Sequence, residues 1–222
     1  AATTNEDTAV HLGLKAPTTS DASDQNGTGA GDNPERLGPI TLSGFPAGAQ
    51  LLDANGNVVY TFTSGNAVSI VLTDGNHTAS ASGVLQMTTA EFEALQVLPP
   101  AENAANFKVT VKVTSYEVDA SGNKLSSVDG KTGSTTVDVK VHAVTDPIEL
   151  KIDGKDSHDL TVKEDSSYNL TPLLKVSLDT GADGNTQADV DGSEHRWLEV
   201  TGLPVGSTVN GTLITSTTQV VK

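Results

Sequence analysis

The sequence predicts an all-β chain built as a β-sandwich, and three observations carry that expectation. Glycine accounts for 21 of 222 residues, and Thr, Ser, Val, Asn and Asp recur throughout. Such a mixture favours short strands and tight turns over helices. Several stretches alternate apolar and polar residues with period two, and clusters of Asp, Asn and Gly separate them at short intervals.

The elements follow in chain order. Ile40–Leu42, Val58–Phe62 and Val68–Leu72 are short strand candidates. Asp53-Ala54-Asn55-Gly56-Asn57 sits between two of them as a hairpin turn, and Asp74-Gly75-Asn76 marks another turn. One helical turn is expected over Thr88–Leu95, where Thr88 and Glu91 have capping-box spacing and Pro99-Pro100 prevents extension. Phe107, Val109, Val111 and Val113 alternate with Lys and Thr, so the segment 107–114 reads as a half-buried antiparallel strand. Asp119-Ala120-Ser121-Gly122-Asn123 is a second hairpin turn. Val137, Val139, Val141 and Ala143 then line one face of a strand over 135–144. Glu149–Ile152, Leu160–Val162 and Leu198–Thr201 are further short candidates, and Trp197, the sole tryptophan, is expected in the core.

Charge and composition narrow the function. The chain carries 28 Asp and Glu against 13 Lys and Arg, a formal net charge of −15, and no cysteine. Disulfide frameworks, thiolate metal sites and cysteine catalysis are thereby excluded. The acidity argues against nucleic acid, whose phosphates need clustered Lys and Arg, and against an anionic membrane surface. No apolar run approaches the ~20 residues of a membrane-spanning helix, and the first residues lack a basic and apolar leader pattern. No HExxH pair, GxSxG elbow or phosphate-binding glycine loop occurs. Four Asn-x-Thr matches, at Asn26, Asn76, Asn169 and Asn210, are what chance gives in a chain this rich in Asn and Thr.

The chain also repeats itself. Glu6-Asp7-Thr8 recurs as Glu164-Asp165-Ser166, 158 positions later, and Leu42–Gly48 recurs as Val200–Gly206 with the same offset. Two acid-rich stretches, Asp21 to Glu35 and Asp179 to Glu194, lie between these motifs. We therefore expect one complete domain over 1–146 and part of a second over 147–222, joined at Thr145-Asp146-Pro147. The second lacks counterparts of the long strands near 107–118 and 135–144. Either a sandwich is cut short there, or an inserted module splits it; both leave strand edges in need of partners.

These motifs, in this order, resemble the repeated domains of large bacterial RTX adhesins. The elements are Glu164-Asp165-Ser166, Asp189-Val190-Asp191-Gly192-Ser193-Glu194, Gly202-Leu203-Pro204-Val205-Gly206, Leu95-Gln96-Val97-Leu98-Pro99-Pro100 and Thr145-Asp146-Pro147. The resemblance implies immunoglobulin- or cadherin-like Greek-key β-sandwiches strung in tandem, stiffened by Ca²⁺, secreted and displayed on a Gram-negative surface with outer-membrane anchoring. The first domain departs from the pattern, carrying Asp32-Asn33-Pro34-Glu35-Arg36 where the family has its Asp-Gly-Ser-Glu loop.

Calcium also follows from chemistry, because Ca²⁺ takes six to eight oxygen ligands. Asp189, Asp191 and Glu194 place three carboxylates within six residues around Gly192, and Glu164 and Asp165 converge on the same ion if their segment starts beside that loop. A solvated acidic turn is the plain alternative. Glu6, Asp7 and Asp146 are candidates for an interdomain site, whereas Asp53, Asp74 and Asp119 read as turn residues.

The expected function is that of a non-enzymatic, calcium-stabilised module of a bacterial cell-surface adhesin. It would be a monomer that spaces or scaffolds a ligand-binding region for adhesion and biofilm formation. Its partners would be neighbouring adhesin domains of the same chain and a host, glycan or biofilm-matrix ligand, with neither nucleic acid nor membrane insertion. The alternatives are a module that contacts a glycan or protein surface directly, and an accessory domain of a secreted polysaccharide-active enzyme.

Overall fold

The structure, a computed structural model, describes residues 1–19, 33–75, 77, 84–119, 121–126, 129–145, 148–178 and 197–221. It divides into two compact units, Ala1–Asp191 and Gly192–Lys222. The division falls outside the described residues, as does the expected junction at 146–147. The described chain is nearly all β.

The first unit contains β1 (Ala2–Asn5), β2 (Val10–His11), β3 (Glu35–Leu37), β4 (Ile40–Ser43), β5 (Gln50–Leu52), β6 (Val58–Thr61) and β7 (Val68–Leu72). There follow β8 (Leu85–Met87), α1 (Thr89–Glu93), β9 (Gln96–Leu98), β10 (Phe107–Glu117), β11 (Lys131–His142), β12 (Ile148–Ile152) and β13 (Leu174–Leu178). Seven strands form a mixed sheet of order β1-β11-β10-β4-β7-β8, with β3 also on β10. β1 lies parallel to β11 and β8 parallel to β7, while the other neighbours are antiparallel. A second, antiparallel sheet runs β2-β9-β5-β6. β12 and β13 pair separately.

Both sheets feed one core. Ile40, Leu42, Ile70, Val109 and Val139 come from the mixed sheet, Leu51 and Val97 from the antiparallel one, and Phe92 and Leu95 from the helix and its end. Burying such side chains contributes ~1.5–3 kcal/mol each, so the alternation of β10 and β11 selects which face turns inward. Val109, Val111, Val139 and Val141 are buried as the period predicts, and Phe107, Val113 and Val137 pack against the core. Ala143 lies past the end of β11 and is exposed. Phe45 stacks on Phe62 at 3.9 Å between centroids, closing the core beside the Gly44–Gly48 bend.

Local chemistry sets the connections. Asp53 accepts the amides of Asn55 and Asn57 at 2.8 and 2.9 Å, and Asp119 accepts those of Ser121 and Asn123 at the same distances. In both turns a glycine with positive φ, Gly56 or Gly122, completes the bend. The capping box is present: Glu91 N–H donates to the Thr88 hydroxyl, and Thr88 N–H donates to the Glu91 carboxylate. Asp74 adds a tether by accepting the Thr89 amide at 2.7 Å.

The second unit carries β14 (Thr208–Val209) and β15 (Thr212–Leu213), paired across Asn210-Gly211. Both turn residues have positive φ, the geometry of a type I′ hairpin. Val200 and Val221 exchange backbone hydrogen bonds of 3.0 and 3.1 Å. Trp197 corrects an expectation: it is 66% exposed, with its indole N–H donating to Glu199, and not part of the core. It occupies the position of Pro39 in the first copy, at the edge of β4 and not on an inward-facing position.

Candidate functional site

The parallel pairing of β1 with β11 determines where the first acidic motif sits. β1 is short and polar, Ala-Thr-Thr-Asn, and owes its strand form to β11 beside it. The pairing carries Glu6 to the end of β11, where its amide donates to the His142 carbonyl at 2.9 Å. The Val144 amide donates to the Glu6 carboxylate. Glu6 is only 7% exposed. A carboxylate buried to this degree favours a site where its charge is compensated.

Asp7 follows in the left-handed region, with φ of 54°. Its carboxylate accepts the amide of Glu102 at 3.2 Å. Glu102 is itself buried and left-handed, with φ of 53°. The Asn106 side chain accepts the Val141 amide at 2.8 Å, fixing the 101–106 loop to β11, and Thr4 donates to the Thr8 carbonyl at 2.7 Å. Three segments thus meet at one end of the first unit: the turn after β1, the loop after β9 and the end of β11. Sequence reasoning missed Glu102, although it stands two residues after the Leu95–Pro100 motif.

Asp146, the third expected ligand at this end, follows Val144 by two positions and lies outside the described residues, as do Asp189, Asp191 and Glu194. Glu164 and Asp165 are described and exposed. Asp165 has φ of 55°, matching Asp7, its counterpart 158 positions earlier. The segment Leu160–Val162, which repeats part of β1 and is expected as a strand, is not one. The second copy has no equivalent of β11 among the described residues for it to pair with. Among the described residues, no group of three or more His, Asp or Glu side chains is arranged to hold an ion. The carboxylates of Glu6 and Asp7 are hard oxygens of the kind Ca²⁺ takes, and Glu102 meets Asp7 through its backbone amide.

The remaining acidic candidates are engaged in turns, as expected. Hydrogen bonds from the Asn57 side chain and amide hold the Asp53 carboxyl below the usual carboxylate range. The Asn123 amide and side chain do the same for Asp119, and the Thr89 amide for Asp74. Glu35 and Arg36 lie in β3 against Glu117 and Tyr116, so in the first copy that part of the acidic stretch is strand. His77 Nδ1–H donates to the Gly38 carbonyl at 3.0 Å, while its Nε2 is buried without a hydrogen bond. No described helix is long and apolar enough to cross a membrane. Comparisons with protein-family models, curated proteins and solved structures found no match.

Proposed function

We propose that this chain is a non-enzymatic, calcium-stabilised structural module of a secreted bacterial surface adhesin, holding a ligand-binding region at a distance from the cell. In this reading its units are immunoglobulin- or cadherin-like Greek-key sandwiches. Glu6, Asp7 and Asp146, joined by Glu102, would hold one Ca²⁺ at the end of the first unit. Asp189, Asp191 and Glu194, with Glu164 and Asp165, would hold a second. Bound calcium supplies positive charge that turns mutually repelling carboxylates into ligands, and its binding free energy adds to the stability of the folded state.

The observation that carries the reading is the repeated acidic turn. An aspartate is held in the left-handed region at both Asp7 and Asp165, each directly after a glutamate. A non-glycine residue rarely adopts that backbone, and such positions concentrate at ligand clamps. In the first unit the turn is fixed by β11 and its glutamate is buried.

Calorimetric titration of Ca²⁺ into the chain tests the proposal. Saturable binding is expected with a dissociation constant of roughly 10⁻⁴ to 10⁻³ M, the range of extracellular modules, with Glu6→Gln and Glu102→Gln each weakening it. Absence of saturable heat, or binding unchanged in both variants, refutes the assignment.

A further inference from the structure

The mixed sheet turns its apolar side chains to the core, so its polar residues gather on the opposite, wet face. On β10 and β11, Val109, Val111, Val139 and Val141 are buried, which sends the even-numbered residues outward. Lys108, Lys112 and Lys140 are among them, and all three are exposed. β1 extends the face with Thr3 opposite Lys140, and β4 extends it with Thr41 opposite Lys112. Beyond Lys112 the same face carries Tyr116, with Lys124 Nζ 4.1 Å from its ring centroid and Arg36 opposite it on β3.

The sign of this face is opposite to that of the chain. The whole protein has a formal charge of −15 and only 13 Lys and Arg, yet Arg36 and four lysines stand here. Asp138 is the one acid among the described strand residues of the face, and it meets Lys108 at 3.3 Å. That pair is open to solvent, with side-chain exposures of 61% and 59%, so it ties up little of the charge. Lys112 and Lys140 have no carboxylate partner among the described residues. Glu35 and Glu117, paired across β3 and β10, belong to the other face. Solubility alone is served by both signs interspersed and does not call for this segregation. Lys108 and Lys112 are four residues apart, about 13 Å along an extended strand, and Tyr116 with its lysine repeats the step. Thr110 and Thr114 fill the positions between.

We infer that this face is a docking surface for a linear anionic polysaccharide, a polyuronate lying along β10. Its carboxylates, carried one to a sugar ring, meet the spaced ammonium groups. The threonine hydroxyls between them donate to and accept from the sugar hydroxyls. Nucleic acid is the poorer match: with a charge every ~1.7 Å of duplex or ~3.4 Å of single strand, it sets several phosphates beside each lysine, and the surplus is repelled by a chain of net charge −15. The inference uses none of the proposed calcium ligands and does not depend on them.

The test titrates a polygalacturonate decasaccharide into the whole 222-residue chain at low ionic strength. Saturable binding is expected, and added salt should weaken it. Lys112→Gln and Lys140→Gln should each lower the affinity about threefold and the double variant at least about fivefold, the scale of exposed ion pairs, with melting temperatures unchanged. Lys163→Gln removes the same charge from an exposed position off the mixed sheet and should leave the affinity as it was. Asp138→Asn should tighten binding, because it releases Lys108 and removes the one acid of the face. The inference is overturned if no saturable binding occurs up to millimolar oligosaccharide, if the double variant binds as well as the wild type, or if Lys163→Gln weakens binding as much as Lys112→Gln. Polyglutamate or single-stranded DNA bound as tightly overturns it too, by making the face a general surface for polyanions.

Discussion

The carbonyl oxygen of Lys108 lies 2.2 Å from the point where a Cβ on Gly44 would stand. β10 therefore approaches the bend after β4 as closely as glycine alone allows, and the φ of 88° there is one that L side chains rarely adopt. Gly44→Ala combines backbone strain with a clash against backbone and should destabilise by roughly 2–5 kcal/mol. Gly202→Ala meets the backbone penalty alone, about 1–2 kcal/mol. Denaturant unfolding of the two variants checks this, and equal effects would contradict the difference in their surroundings.

The core and the surface should respond differently to truncation of an aromatic residue. Phe92 is fully buried on the helix face that meets the core, so Phe92→Ala is expected to cost ~3–5 kcal/mol. Trp197→Ala removes a larger side chain, yet Trp197 is 66% exposed, and the change should stay within about 0.5 kcal/mol. Comparison of urea midpoints at fixed slope separates the two.

The hairpin aspartates should act alike. Asp53→Ala and Asp119→Ala each remove the acceptor for two turn amides and are expected to lower the melting temperature, with Asn at either position recovering part of the loss. Hydrogen bonds hold both folded-state carboxyls below the ordinary value of 3.8. Their contribution is therefore full above that value and is lost as the pH falls through the folded-state value. Melting curves between neutral pH and pH 3 should lose this acid-dependent component in the Ala variants.

His77 supplies a second pH effect, in a higher window. Burial depresses its folded-state value below 6.5, outweighing the opposing hydrogen bond to Gly38. The unfolded chain then binds the proton more readily, so stability falls as the pH drops below about 6.5 and levels off below the depressed value. Melting temperatures of the wild type should decline across that window, and His77→Gln should flatten the slope. An unchanged slope would assign the effect to another group.

The long strands, the two Asp-x-x-Gly-Asn turns and the capping box were legible because their causes are local. Four alternating apolar residues between Phe107 and Val113 leave one inward face, and an Asx residue before a glycine bends its own backbone. β1 was not legible, since Ala2-Thr3-Thr4-Asn5 becomes a strand only because β11 lies parallel to it. Its repeat near Leu160 has the better strand composition and forms none. The same distance in sequence hid Glu102, which meets Asp7 across 95 positions. Two short turns were legible in principle: Asp153-Gly154 and Asn210-Gly211 are type I′ dipeptides with positive φ at both residues. Of the candidate metal ligands, Glu6 and Asp7 are placed together by β1 and β11, and Glu164 and Asp165 share their local backbone without that support.

The most direct measurement of the central proposal is thermal unfolding in excess EDTA against ten-millimolar Ca²⁺, with equal Mg²⁺ as the control. A site with a dissociation constant near 0.1 mM would gain about 2.7 kcal/mol at a hundredfold excess of ligand, several degrees for a chain of this size. The account predicts that rise for calcium, little for magnesium, and a smaller rise in Glu6→Gln. A melting temperature that is the same in EDTA and calcium would contradict it.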